Sequence, residues 1–210
     1  MEGVSLPRKK TSDIRLLDKK EQLCLEEYVS KIHNSTTLGI TLAMTTGIRI
    51  GELCALQWKD IDLEKRILTV SKTVQRIQLH EADRKTKLII TEPKSESSKR
   101  IIPIPEAVVA FLKEMRENDE DFVVSGTSRV IEPRTMQYRF AKILKNVNLP
   151  SVHFHALRHM FASNCIRLGF DIKALSEILG HSSVEITLNR YVHSSFEQKT
   201  EYMNRITICV

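Results

Sequence analysis

Three stretches of the chain carry side chains suited to work on a phosphate group. In Thr46-Gly47-Ile48-Arg49-Ile50-Gly51-Glu52-Leu53 a guanidinium and a carboxylate stand three residues apart. On a helix Glu52 then shares a face with Arg49 and can fix it. In His155-Ala156-Leu157-Arg158-His159 the same spacing sets an imidazole beside a guanidinium. Leu179-Gly180-His181-Ser182-Ser183 adds another imidazole, and ten residues after that histidine comes Tyr191, closing Asn189-Arg190-Tyr191. An arginine grips phosphate through paired hydrogen bonds, and a histidine moves protons near neutral pH. A phenol, with a reference pKa of about 10, stays protonated at that pH and needs cations nearby to attack. Each stretch alone has a plainer explanation: a surface ion pair, a partly buried histidine beside a surface arginine, a tyrosine packing at a helix end. His159 reads as a structural helix residue.

The bulk properties narrow the partner. With 210 residues the chain can bury one sizeable core or two small ones, and 41% hydrophobic with 28% charged residues suits a globular protein rather than a disordered one. A net charge of +6 and a pI near 9.2 favour a polyanion, of which double-stranded DNA is the commonest. Cys24, Cys54, Cys165 and Cys209 form no C-x-x-C pair and stand at no zinc-finger spacing. With no signal peptide and no apolar run near the ~18 residues that span a bilayer, a cytoplasmic chain with reduced thiols and no membrane partner is expected. No Gly-rich phosphate loop and no strand–helix alternation appear, so nucleotide-dependent chemistry is not expected. Carboxylate clusters suited to magnesium are missing as well.

The elements that must carry these residues read mostly as helices. Residues 1–17, with Pro7-Arg8-Lys9-Lys10, look like a basic leader or linker stub, and folding begins at Leu17 with Asp18 and Glu21 as a capping box. A second apolar segment runs from Leu38 to Thr46 and stops at Gly47, and Ile50, Leu53, Cys54 and Trp58 form the inner face of the next helix. Arg66–Val70, Lys87–Thr91 and Arg100–Ile104 are short β-branched runs, joined in part by the polar turn Ser95–Ser98. The charged stretch Gln75–Lys87 looks like an extended hairpin. Pro105 starts a further helix, Asp121–Ser125 suits a short strand, and helices follow from Pro133 and from His155 to Gly169. Asp171 caps one that ends at Gly180, and Ser182 with Glu185 forms a capping box for the helix leading to Tyr191. Phe196–Ile206 is amphipathic. The expectation is a mainly α domain with one small antiparallel β-sheet, an α+β fold.

Taken together and in order, TGIRIGEL (46–53), HALRH (155–159), LGHSS (179–183) and NRY (189–191) resemble the tyrosine recombinases, the phage-integrase family of site-specific DNA recombinases. EPKSESSKRIIPI (92–104) resembles that family's β-hairpin lysine and the Arg-x-Ile-Pro strand after it. The resemblance runs from about Asp18 to Tyr202. It implies that the catalytic set is Arg49, Lys94, His155, Arg158, His181 and Tyr191, without cofactor or metal. Arg49 and Arg158 would clamp the non-bridging oxygens of the scissile phosphate, with a further hydrogen bond from His181. Lys94 would protonate the departing 5′ oxygen, although Lys85, Lys87 and Lys99 stand in the same basic region. His155 would assist proton transfer, and Tyr191 would be the nucleophile of a 3′-phosphotyrosine intermediate.

The same resemblance sets expectations for assembly. The family's amino-terminal DNA-binding domain has no room before Asp18, so residues 18–210 are expected to be a catalytic domain, a fragment of a longer protein in preference to a reduced member of the family. Such a chain makes only part of the phosphate contacts and should bind DNA weakly. A monomer when free and a homo-tetramer on DNA are expected, with accessory DNA-bending or directionality proteins as further partners. The Phe196–Ile206 segment suits either its own core or a neighbouring subunit. An integrase of a prophage or conjugative transposon is the leading expectation. The alternatives are a recombinase that resolves chromosome or plasmid dimers, a type IB topoisomerase, and a catalytically silent DNA-binding relative.

Overall fold

The computed structural model describes residues 15–78, 86–93, 96–191, 200 and 203–204. Residues 1–14 of the leader, Lys94, most of Phe196–Ile206 and Cys209 lie outside them. The Asp18 carboxylate accepts from the Lys20 and Glu21 amides, and Glu21 reaches back to the Asp18 amide. This closes the expected capping box on α1 (Lys19–Lys31), with Leu17 buried behind it. Asn34 caps α2 (Ser35–Thr46) in the same reciprocal way with Thr37.

The molecule is organised around α2. Leu38, Ile40, Leu42 and Ala43 are fully buried on it, as a helix covered on all sides requires. Its hydroxyls turn back on the backbone, with Thr46 donating to the Leu42 carbonyl at 2.6 Å and Thr37 to that of Ile32 at 2.6 Å. Against α2 pack α1, α4 (Glu106–Met115), α5 (Pro133–Asn146) and α6 (His155–Arg167). Gly47 ends α2 at φ 63°, a left-handed conformation glycine adopts without steric cost. A Cβ there would also lie 2.5 Å from Phe161 Cδ1 and 2.9 Å from Leu179 Cδ2, so α6 and α7 (Ile172–Leu179) close directly over the end of α2.

The β structure differs from the expectation of one sheet. β1 (Ile61–Asp62), β2 (Ile67–Val70) and β5 (Arg100–Pro103) form one antiparallel sheet in the order β1-β2-β5. A separate antiparallel hairpin pairs β3 (Thr73–Gln78) with β4 (Thr86–Thr91), in register Thr73 with Thr91 and Gln78 with Thr86. The charged stretch is therefore partly ladder, with its tip outside the described residues. Three further expectations are corrected. The helix carrying Arg49's partner, α3 (Ile50–Ala55), stops short of Trp58, which begins a 3-10 turn with its ring in the core. Asp121–Ser125 is no strand: Phe122 makes only isolated bridges to Gln57 and Thr127, because turn hydrogen bonds to its carbonyl curl the chain. The helix leading to Tyr191, α8 (Val184–Tyr191), begins one residue later than a Ser182 cap requires. Among the described residues no helix is long and apolar enough to cross a membrane.

Candidate active site

The carboxyl end of α7 is the organising feature. The last carbonyls of any helix lack an intrahelical donor and carry the negative end of its dipole. Here five successive carbonyls find donors. Gly180, at φ 63°, turns the chain so that the His181 amide reaches the Ser176 carbonyl at 3.1 Å and the Gly180 amide that of Glu177 at 3.0 Å, a Schellman closure. The next three carbonyls each accept from a different guanidinium. Arg100 Nε donates to Ile178 at 2.5 Å, Arg158 Nη2 to Leu179 at 2.6 Å and Arg49 Nη2 to Gly180 at 2.8 Å. Arg158 Nη1 also donates to the Gly47 carbonyl at 2.7 Å, tying the end of α2 to the end of α7.

The arginines are therefore held by backbone rather than by a surface partner. Arg158 is 2% exposed although it stands on the cleft, because α6 presents it inward beside Ala156, Leu157 and Phe161. Arg49 is the N-cap residue of α3, one position outside the helix. Glu52 accepts from its backbone amide at 3.0 Å and from Nη1 at 2.8 Å. The pair is no surface contact, since Glu52 is 4% exposed. Burial pushes the Glu52 carboxyl up, but hydrogen bonds and charge from Arg100, with Arg49 beside it, outweigh burial and hold it below its ordinary value.

A cleft of about 280 Å³ opens at this junction, lined by Arg49, Ser98, His155, Arg158, Gly180, His181, Ser182 and Ile186. Four of the six residues singled out in the sequence thus meet in one place. His155 opens α6 and stacks edge-on against His159 at 4.8 Å between ring centres, with His159 buried behind it. His181 follows the Schellman turn directly, and its Nδ1 lies 2.8 Å from the hydroxyl of fully buried Thr187 on α8. That contact fixes the ring on the side facing α8. Lys94 lies outside the described residues. Tyr191 is the last residue of α8, the helix that also supplies Ile186 to the cleft. Among the described residues no group of histidine, cysteine and carboxylate side chains could hold a metal ion.

Two contributors had no assignment from sequence. Thr187 gives no signal, because nothing marks which hydroxyl will meet a histidine six residues away. Arg100 does carry one: strand alternation sets it on the same face of β5 as Ile102, which is 1% exposed, while Ile101 points outward at 60%. A cation on an inward face needs a buried acid, and Glu52 is that acid, with Oε1 at 3.1 Å and Oε2 at 2.9 Å.

Comparison with known proteins adds the family. The model of the phage integrase family matches residues 15–198. A tyrosine recombinase XerC-like protein of Caldanaerobacter subterraneus subsp. tengcongensis is 34% identical in an alignment of 178 positions, and the match covers 76% of this chain and 46% of that one. The transposase from transposon Tn916 of Enterococcus faecalis is 28% identical over 207 residues, 90% of this chain and 50% of that one. The chain thus spans about half the length of these relatives. The Tn1549 transposon integrase, solved in complex with transposon right end DNA, superposes with a TM-score of 0.74 at 25% identity, covering 95% of this chain and 68% of that one.

Proposed function

The chain belongs to the phage integrase family and has the tyrosine recombinase catalytic-domain fold, and from that premise we propose that it cuts and rejoins DNA through a covalent bond between a strand phosphate and Tyr191. The observation that carries this reading is the fan of guanidiniums at the end of α7, opening on a cleft shared with two imidazoles. Backbone carbonyls hold these cations in place before any ligand arrives, so no reorganisation is needed when charge develops on a phosphate.

In the proposed step Arg49 and Arg158 bind the non-bridging oxygens and His181 adds a hydrogen bond. The Tyr191 oxygen bonds to phosphorus as the bond to the 5′ oxygen breaks. The phenol's proton passes to His155, and Lys94 gives one to the departing 5′ oxygen. A 3′-phosphotyrosine and a 5′ hydroxyl result. Attack by a 5′ hydroxyl reverses every transfer, so religation consumes no nucleotide. The partner is double-stranded DNA in the cytoplasm, engaged as a homo-tetramer assembled from free monomers, with accessory DNA-bending or directionality proteins. The transposon relatives favour integration or excision of a mobile element. The resolution of chromosome or plasmid dimers is the second reading, and the recovered target site separates the two.

The test is a suicide duplex, nicked so that the released fragment diffuses away, taken from a pool randomised around the nick and incubated with EDTA. A covalent adduct absent from Tyr191→Phe is expected. Binding without adduct would make the chain a silent DNA-binding relative, and site-independent relaxation of plasmids would make it a topoisomerase.

A further inference from the structure

Glu52 stands between two guanidiniums of opposite exposure. Toward the cleft, Arg49 takes Oε1 at 2.8 Å with a side chain 36% exposed. Toward the interior, Arg100 takes both oxygens, at 3.1 and 2.9 Å, with a side chain 6% exposed. A carboxylate gripped at both oxygens by a planar fork cannot turn about its last bond. Its single side-chain contact to Arg49 therefore has a set direction.

Arg100 has two further holds. Its Nε takes the Ile178 carbonyl, next to the carbonyls that anchor Arg158 and Arg49. Its Nη1 takes the Ser98 carbonyl at 3.1 Å, and Ser98 lines the cleft on the segment leading back to Lys94. Gly180 makes room for this, since a Cβ there would lie 3.0 Å from Arg100 Cδ, from its Nη1 and from the Ser97 carbonyl. One buried side chain thus ties together α3, the end of α7 and β5. A buried ion pair adds little net stability over an apolar pair of equal volume, but it can specify one arrangement.

We propose that Arg100 is a positioning residue for DNA cleavage: through Glu52 and the Ile178 carbonyl it aims the Arg49 guanidinium at the scissile phosphate without touching the DNA itself. This rests on the recombinase reading of the cleft. Arg49 is the group that meets the phosphate, and Arg100 fixes where it points.

The test uses the whole chain and a nicked duplex that the wild-type protein has captured. The duplex is made with an ordinary scissile phosphate and with a methylphosphonate, which lacks the negative charge. The double variant Arg100→Met with Glu52→Gln removes both buried charges together, and Arg100→Lys keeps the charge without the fork. Both are expected to slow adduct formation on the phosphate on the order of 100-fold, the scale of a misplaced reacting group, while affinity for the duplex stays within a few-fold. On the methylphosphonate the guanidinium has no charge to meet, so the penalty shrinks to a few-fold. In an Arg49→Ala background the Arg100 changes add little. Equal penalties on both substrates, a full penalty on top of Arg49→Ala, or wild-type rates in both variants would overturn the proposal and leave the recombinase reading standing. No adduct from the wild-type protein on any duplex would overturn both.

Discussion

Two hollows on this molecule invite comparison. A groove of about 420 Å³ runs between α1, α2 and α4, walled by Val29, Met44, Ala107, Val108, Ala110 and Phe111. The cleft at the end of α7 is smaller, about 280 Å³, and is walled by guanidiniums and imidazoles. By volume and apolar lining the groove looks the better pocket for a small molecule. By chemistry the cleft is the one of the two suited to a phosphate, because the fold fixes its donors beforehand. The difference teaches that in this chain function follows from which backbone groups the polar side chains satisfy, and not from how much space they leave.

The sharpest test of that contrast is the loss of Tyr191. Tyr191→Phe should abolish the covalent adduct on a nicked duplex, read on a denaturing gel, with DNA binding retained. Next comes the cost of breaking the buried network. Arg100→Met alone leaves the buried Glu52 carboxylate to Arg49 and should destabilise the fold by about 1–3 kcal/mol in urea unfolding, whereas adding Glu52→Gln should recover much of that loss. Arg49→Ala removes a preorganised donor at the cleft and should slow cleavage by roughly 10²–10³-fold in single-turnover kinetics.

A smaller effect comes with pH. Glu52 is held below its ordinary value of 4.5, so the unfolded chain takes up its proton before the folded one does. The stability it contributes is complete above about pH 4.5 and is lost as pH falls through the folded value. Thermal melts on either side of that point should show an acid limb that Glu52→Gln flattens. Smallest of all should be the response of the groove. Ala107→Ser and Ala110→Ser change only its exposed wall and should leave the cleavage rate unchanged. A strong slowing by either would break the contrast between the two hollows.

Helix ends were the most legible part of the fold. Asp18, Asp171, Gly47 and Gly180 cap or close helices where their residue types predict, since a cap depends on groups within a few positions of one another. The β region was less legible. Arg66–Val70 and Arg100–Ile104 were recognised as strand segments, but a ladder bond depends on a partner strand, and nothing local says that β2 pairs with β1 and β5 while β3 pairs with β4. The end of α3 is not set locally either: Trp58 continues the helical spacing, yet the core claims its ring through a 3-10 turn. In the cleft, the motifs named Arg49, His155, Arg158 and His181, while Thr187 and the use made of Arg100 went unseen.

By itself the sequence determined the inventory: which helices form, where most of them stop, which cationic and protonatable residues the chain owns, and their order along it. Only the tertiary structure decided what those residues hold. Arg100 meets Glu52 across 48 positions, Arg158 meets Gly47 across 111 and Arg49 meets Gly180 across 131. The physical reason is one of range. Caps and turns are set by neighbours a few bonds away, whereas the carbonyls of α7 acquire their guanidiniums only when α2, α3, α6 and β5 have packed around that helix end and excluded the water that would otherwise serve them.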